Sequence, residues 1–314
     1  MENEYDFIII GGGCSGLSAG MYGTRLGLKT LVLAELPGGL ITTTHLVENW
    51  PGVLTTSGPD LAMTLYSHAE KSGATIKSER ASKVEKMPEK NGFPQFKVTT
   101  GSNEYIGKTI LFATGTVHKK LGCPGEKELE NKGVSYCALC DGAFFKNKVV
   151  CVVGGGDSAA KEAIFLSEHA SKVYIIVRKD VLRAEPINAK RVEQNEKIEV
   201  LFKTEIEEII GANSVEKIRL KVGEGKYSGQ ELEMQGVFMA IGHDAQTSLA
   251  ENLGVALNDK KEIQINRRTE TNIKGVFGAG DCCDTEFKQA ITGSAEGVTA
   301  SYYAFHICTT DPSF

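Results

Sequence analysis

The sequence predicts an α/β fold of two three-layer domains, the second inserted into the first, and three observations predict it. The stretches Asp6–Glu35 (DFIIIGGGCSGLSAGMYGTRLGLKTLVLAE) and Val149–Lys179 (VVCVVGGGDSAAKEAIFLSEHASKVYIIVRK) share one plan: apolar strand, glycine-rich turn, helix opening on small residues, second apolar strand. Each is followed by more strands, so each half has its own sheet. The segment after Asp244 is too short to bury a core alone and has to complete the first domain. Two Rossmann-like dinucleotide-binding domains result, residues 1–117 with 246–314 and residues 118–245, linked near GTVHKK and GHDAQT.

In the first domain TSGPDLAMTLYSHAEKSG reads as a helix. Ser57 three residues before Asp60 is a capping-box pattern, Pro59 suits an early helical position and Gly73 ends it. ASKVEKM, QFKVTT and EYIGKTILFATG follow as strands, with TGSN turning the second into the third. After the second repeat IEVLFKTEIEEIIG, SVEKIRLKV and QGVFMAIG repeat that strand series. IQINRRTETNIKGVFGAGD and the helical segment behind it return to the first domain.

Composition narrows the function. A chain of 314 residues, 41% hydrophobic and 24% charged, supports real cores. Its net charge of −5 offers no broad basic field, which argues against nucleic acid and anionic membrane as partners. The acidic MENEYDF start lacks the basic flank of a secretory signal, and no run approaches the ~18 apolar residues of a membrane span. A cytoplasmic protein is expected. Eight cysteines are too sparse for a disulfide scaffold, so an isolated CxxC points to redox or metal chemistry.

The two glycine turns differ in what they suit. In IIIGGGCSG, Gly11 allows the tight turn, Gly13 lets a pyrophosphate approach the backbone and Gly16 lets the helix pack on its strand. Glu35 closes the next strand, where a carboxylate accepts the hydroxyls of an adenosine ribose. The second turn offers Gly154, Gly156 and Ala159. Glu35 lies 24 residues past Gly11, and 24 residues past Gly154 stands Arg178, with Lys179 beside it and Arg183 five residues on. Cations there pair with a 2′-phosphate that a carboxylate would repel, so NADPH is favoured over NADH. The alternatives are a glycine turn without a ligand and a merely solvated basic loop. FAD in the first domain and NADPH in the second would make an electron relay.

Cys137 and Cys140, in SYCALCDGAFF, can bind a metal or cycle between dithiol and disulfide. A closed zinc site needs four ligands; the six histidines are scattered, and only Cys282 and Cys283 could supply a second pair. Redox exchange needs a thiolate and an acid to move the proton, and Asp141 is placed for that or for capping a helix.

These residues together resemble one family, the low-molecular-weight thioredoxin reductases, nearly end to end. GGLITTTHLVENWPG resembles the family's flavin-wrapping loop, CALCDG its CATCDG redox motif, GGGDSAAKEA its NADPH loop, RKDVLRA its phosphate-binding segment and GVFGAGDCCDTEFKQAITGSAEG its flavin-closing end. Glutathione reductase and lipoamide dehydrogenase relatives instead keep a wider-spaced cysteine pair in the FAD domain, roughly where GGLITTTHLVENWPG lies here, and that stretch has no cysteine. Alkyl hydroperoxide reductase subunits carry an extra N-terminal domain, and ferredoxin-linked relatives lack either the NADPH motif or the CxxC.

The resemblance implies that Cys140 takes electrons from the flavin, Cys137 attacks the thioredoxin disulfide and Asp141 handles the proton. It implies FAD contacts from Gly11, Gly13, Ser15, Gly16, Glu35, Gly39, Leu40, Thr44, Asn49, Val84, Thr114, Asp281, Lys288, Gln289 and Ala290. NADPH contacts would come from Gly154, Gly156, Asp157, Ser158, Arg178, Lys179 and Arg183. It further implies a homodimer whose NADPH domain rotates, a substrate that is thioredoxin or a glutaredoxin-like protein, and no metal. Cys14 stands where the family often has proline, Leu40 replaces a glutamine, and Val177 and Lys179 replace the histidine and second arginine of the phosphate-binding run. Two other functions fit parts of the pattern: a flavin-dependent dithiol oxidase using oxygen, and a metal-stapled nucleotide-binding sensor.

Overall fold

The computed structural model describes residues 3–309. The chain forms two compact units, Met1–Val117 with Ala245–Phe314 and His118–Asp244, the first including residues 1–2 and 310–314 outside the described range. Elements of the first stretch are β1 (Glu4–Ile10), α1 (Cys14–Arg25), β2 (Thr30–Leu33), α2 (Gly58–Lys71), β3 (Thr75–Lys77), β4 (Ala81–Lys90), β5 (Phe93–Thr100) and β6 (Glu104–Phe112). A linker strand, β7 (Thr116–His118), leads to the second unit. There follow β8 (Val134–Ser135), α3 (Ala138–Asp141), β9 (Val149–Val153), α4 (Asp157–His169), β10 (Lys172–Ile176), α5 (Pro186–Glu193) and β11 (Ile198–Leu201). The unit ends through β12 (Ile206–Ile210), β13 (Lys217–Leu220), β14 (Glu231–Glu233) and β15 (Gly236–Met239). The return linker is β16 (His243–Ala245), after which α6 (Ser248–Leu253), β17 (Val276–Gly278) and α7 (Ala290–Cys308) finish the first unit.

In the first unit β3, β2, β1 and β6 lie parallel in that order. β6 has two partners along its other edge: antiparallel β5 takes Glu104–Gly107, and parallel β17 takes Ile110–Phe112. β4 extends the antiparallel side. β1 reads as a continuous apolar run because both faces of its sheet are covered. Phe7 and Ile9 enter the core shared with Leu17 of α1 and Ala300 and Ala304 of α7, while Ile8 and Ile10 enter the core shared with Phe96, Val98 and Ala250. The second unit has a parallel sheet, β11–β10–β9–β15–β8, and a separate antiparallel sheet, β12–β13–β14. This is the two-domain α/β architecture expected from the repeated motif.

Local chemistry accounts for most boundaries. Ser57 Oγ caps α2, accepting from the Asp60 amide (3.1 Å), but its hydroxyl donates to the Asp60 carboxylate (2.6 Å), so Asp60 does not reach back to the Ser57 amide as a full capping box would. The run 198–211, expected as one strand, is two: Lys203 at φ 51° turns the chain from the parallel sheet into the antiparallel one. β3, α5, β14 and α6 were not anticipated.

Candidate functional site

The two glycine turns are built alike. A Cβ on Gly11 (φ +115°) would sit 2.1 Å from the Ala113 carbonyl oxygen, and one on Gly154 (φ +153°) 2.1 Å from that of Ala240. Both positions therefore require glycine for the fold itself. A Cβ on Gly16 would lie 1.9 Å from the Gly11 oxygen, which is what draws α1 onto β1. Gly13 and Gly156 differ: the nearest atom to a Cβ on Gly13 is 3.8 Å away, and around Gly156 there is nothing within 4 Å. Space is left open at each helix N-terminus, and neither α1 nor α4 has a side-chain cap on its first-turn amides. Such a cradle of unfilled space and uncapped amides fits a pyrophosphate. Ser158, in the first turn of α4, adjoins the second cradle.

Around the first turn the sequence-derived set partly converges. The Gly38 amide donates to the Gly12 carbonyl (2.7 Å), laying Gly38 and Gly39 against the cradle, and Leu40 and Thr44 follow in the half-buried loop. The Asn49 amide donates to Gln289 Oε1 (3.0 Å), joining residues 240 positions apart. Gln289 caps α7, on which Ala290 is the first residue. Lys288 donates to the Asp281 carbonyl (2.9 Å) and pairs with Glu262. Burial pushes the Asp281 carboxyl up, opposed by Lys288. Ser15 is held between the loop at Gly280 and helix α7: a Cβ on Gly280 or Gly293 would strike its Oγ at 2.4 or 2.5 Å. Thr114 is tied to the return linker, its hydroxyl donating to the Gln246 carbonyl (2.6 Å). Val84 is set apart, its side chain lying in the core. Glu35 meets Arg80 (3.1 Å) at an exposed position; nothing in the local pattern around Arg80 marks it, since the pairing joins residues 45 apart. Burial pushes the Cys14 thiol up to about 11.

In the second unit Arg178 and Lys179 are exposed just beyond β10, and Arg183 is held beside the glycine turn, its amide donating to the Gly155 carbonyl (2.7 Å). Val177, buried, packs under that turn, where a Cβ on Gly155 would meet it at 2.8 Å. Arg178, Lys179 and Asp180 line an open depression with Lys203, whose amide donates to the Lys179 carbonyl (2.9 Å), and Glu224 from the β13–β14 connection, two residues not foreseen because tertiary structure brings them there. Asp157 is already engaged: it accepts from the Glu185 amide (2.9 Å) and Asn188 (2.8 Å) and pairs with Lys161 (2.8 Å). Burial opposes its charge, yet these partners together hold its carboxyl below the usual range. Its role is therefore to fix α4 against the Arg183 segment.

Cys137 and Cys140 form a disulfide, with their Cα atoms 5.3 Å apart. Cys137 is half-buried at the N-terminus of α3, where its sulfur accepts from the Cys140 amide (3.1 Å); Cys140 is exposed. Asp141 makes no side-chain hydrogen bond among the described residues and caps neither α3 nor the turn after it, leaving its carboxylate available. Cys282 and Cys283, the other candidate pair, are fully buried core sulfurs 3.9 Å apart. No group of three or more His, Cys, Asp or Glu converges to hold a metal among the described residues.

Glu162 on α4 was not anticipated. The residue is half-exposed, but its Oε2 is sealed from solvent without a hydrogen-bond partner, and burial pushes the carboxyl up to about 8. An unfolded chain ionises this group near the ordinary carboxylate value whereas the folded one does not, so stability falls as pH rises from the unfolded value toward about 8. Glu162→Gln is expected to raise the melting temperature at pH 8.5 by about 2 °C or more and to change it little at pH 4, as thermal unfolding followed by circular dichroism at both pH values will show.

Comparison with known proteins places this geometry. Residues 5–297 match the family model described as pyridine nucleotide-disulphide oxidoreductase. The chain is 40% identical over 312 residues to the thioredoxin reductase of Bacillus subtilis (strain 168), covering 97% of this chain and 95% of that one. Its structure resembles the crystal structures of thioredoxin reductase from Lactococcus lactis (35% identity, TM-score 0.90, 97% and 99% of the two chains) and T. acidophilum (31%, 0.89, 97% and 98%). No helix among the described residues is long and apolar enough to cross a membrane.

Proposed function

Since this chain belongs to the pyridine nucleotide-disulphide oxidoreductase family, we propose that the Cys137–Cys140 disulfide is the couple through which it works. Its activity is the NADPH-dependent, FAD-dependent reduction of the disulfide of thioredoxin. The observation that carries the assignment of residues is the formed disulfide in a unit that also holds an open glycine cradle and a cationic strand end.

Bound NADPH and FAD supply the hydride and two-electron chemistry. The first cradle, through Gly11, Gly13 and Gly16, would seat the flavin nucleotide's pyrophosphate, and Gly39, Asn49, Asp281, Lys288 and Gln289 would help to hold the flavin nucleotide. The second cradle would seat that of NADPH, and Arg178, Lys179 and Arg183 would pair with the 2′-phosphate. The Cys137–Cys140 disulfide takes up two electrons and two protons to become two thiols, Cys140 being the sulfur that receives the electrons. Cys137 gives its proton to Asp141, and the Cys140 amide stabilises the thiolate. That thiolate attacks one substrate sulfur, the substrate S–S bond breaks and a mixed disulfide forms. Cys140 then attacks Cys137, its proton and the one held by Asp141 passing to the two substrate sulfurs, which releases the reduced substrate and restores the internal disulfide.

The test is reduction of oxidised thioredoxin by NADPH with FAD-loaded protein, monitored at the nicotinamide absorbance. The proposal extends to glutaredoxin-like substrates, to a homodimer and to a cytoplasmic setting, where reduced thiols are maintained; sedimentation checks the dimer. Arg178 and Arg183 speak against a dithiol oxidase, which has no need of a 2′-phosphate site. Replacing both with alanine is expected to lower the preference for NADPH over NADH, read as the ratio of kcat/KM values, by about tenfold or more. An unchanged ratio would remove these arginines from nucleotide selection.

A further inference from the structure

We propose that His118 and His243 form a binding site for a divalent transition-metal ion of the zinc class, across the two linker strands. β7 and β16 run antiparallel: the Lys119 amide donates to the Gly242 carbonyl (3.0 Å) and the Gln246 amide to the Gly115 carbonyl (2.9 Å). That register sets His118 directly opposite His243, and places them at a position without ladder hydrogen bonds, where facing side chains come closest. Their ring centroids are 4.6 Å apart and their planes are inclined by 46°.

Two imidazoles this close can turn one nitrogen each toward a shared ion at about 2.1 Å, with water completing the shell. Imidazole suits zinc, copper and nickel, whereas magnesium prefers oxygen. The neutral imidazole is the form that ligates. Lys119 is engaged with Asp244 (3.3 Å). Those two side chains alternate to the opposite face of the ribbon, while Lys120 lies over the Tyr136 ring (3.8 Å) and is paired with Glu130 (2.8 Å). Tyr136 flanks His118, its ring 5.9 Å away, with its hydroxyl committed to Glu126 (2.7 Å). Neither histidine has a part in the redox chemistry described above.

The experiment is calorimetric titration of zinc chloride into FAD-loaded, fully oxidised protein at pH 7, so that Cys137 and Cys140 stay tied up as a disulfide. One zinc per chain is expected to bind, and His118→Gln and His243→Gln are each expected to weaken it by about tenfold or more. Retained flavin content and melting temperature in the metal-free variants show that the loss is not one of folding. No saturable zinc binding by the wild type overturns the proposal. So does zinc binding undiminished in both variants, or magnesium binding as tight as zinc.

Discussion

Turnover with thioredoxin is expected to fall about a thousandfold or more when Cys137 is replaced by serine, because a hydroxyl is a poor nucleophile toward sulfur and cannot close a disulfide with Cys140. The structure makes this variant a clean one. Cys137 is half-buried and opens a four-residue helix, and its sulfur accepts a hydrogen bond from the Cys140 amide that a serine oxygen can also accept. The fold should therefore persist. Anaerobic bleaching of the bound flavin by NADPH should survive, since the glycine cradles are untouched, while oxidised thioredoxin is no longer reduced. Thioredoxin turnover at the wild-type rate in this variant would take the dithiol out of the reaction.

The second large effect lies at Gly156. Its backbone is extended (φ −104°, ψ −176°) and a Cβ there meets nothing within 4 Å, so Gly156→Val costs the folded chain little. The side chain would instead occupy the room a pyrophosphate needs against α4. The KM for NADPH is expected to rise about a hundredfold, equivalent to ~2.7 kcal/mol of lost binding, with flavin content and melting temperature nearly unchanged. Steady-state kinetics alongside thermal unfolding will separate these effects. At Gly154 the same substitution would collide with the Ala240 carbonyl and test folding instead.

How much of this was legible in the sequence depends on the range over which each feature is encoded. The two strand–turn–helix–strand units were visible because apolar periodicity and glycine spacing are local, and the same holds for the CxxC. The split of 198–211 was hidden because a lysine rarely adopts the positive φ that Lys203 takes. β3 and β14 have three residues each, too few to show a period. α6 is only six residues long and ends on Gly254 in the left-handed region, a stop signal that makes sense only once the helix is known. In the site, the pairings of Glu35 with Arg80 and Asn49 with Gln289, and the commitment of Asp157 to Asn188, are products of tertiary structure. Val84 entered by resemblance alone, and its side chain faces the core, so any contact it makes with a nucleotide must use its backbone.

The shared edge of β6 has a consequence for biosynthesis. Residues 118–244 are contiguous and can close into their unit as soon as they have left the ribosome. The outer unit has to wait, because β17 and α7 follow the inserted unit in the chain, and α7 packs on α1 where Gly297 comes against the Ser15 carbonyl. The nascent first segment must therefore hold its unfinished sheet edge until the inserted unit, β17 and α7 have all been made, and only then can the outer unit close.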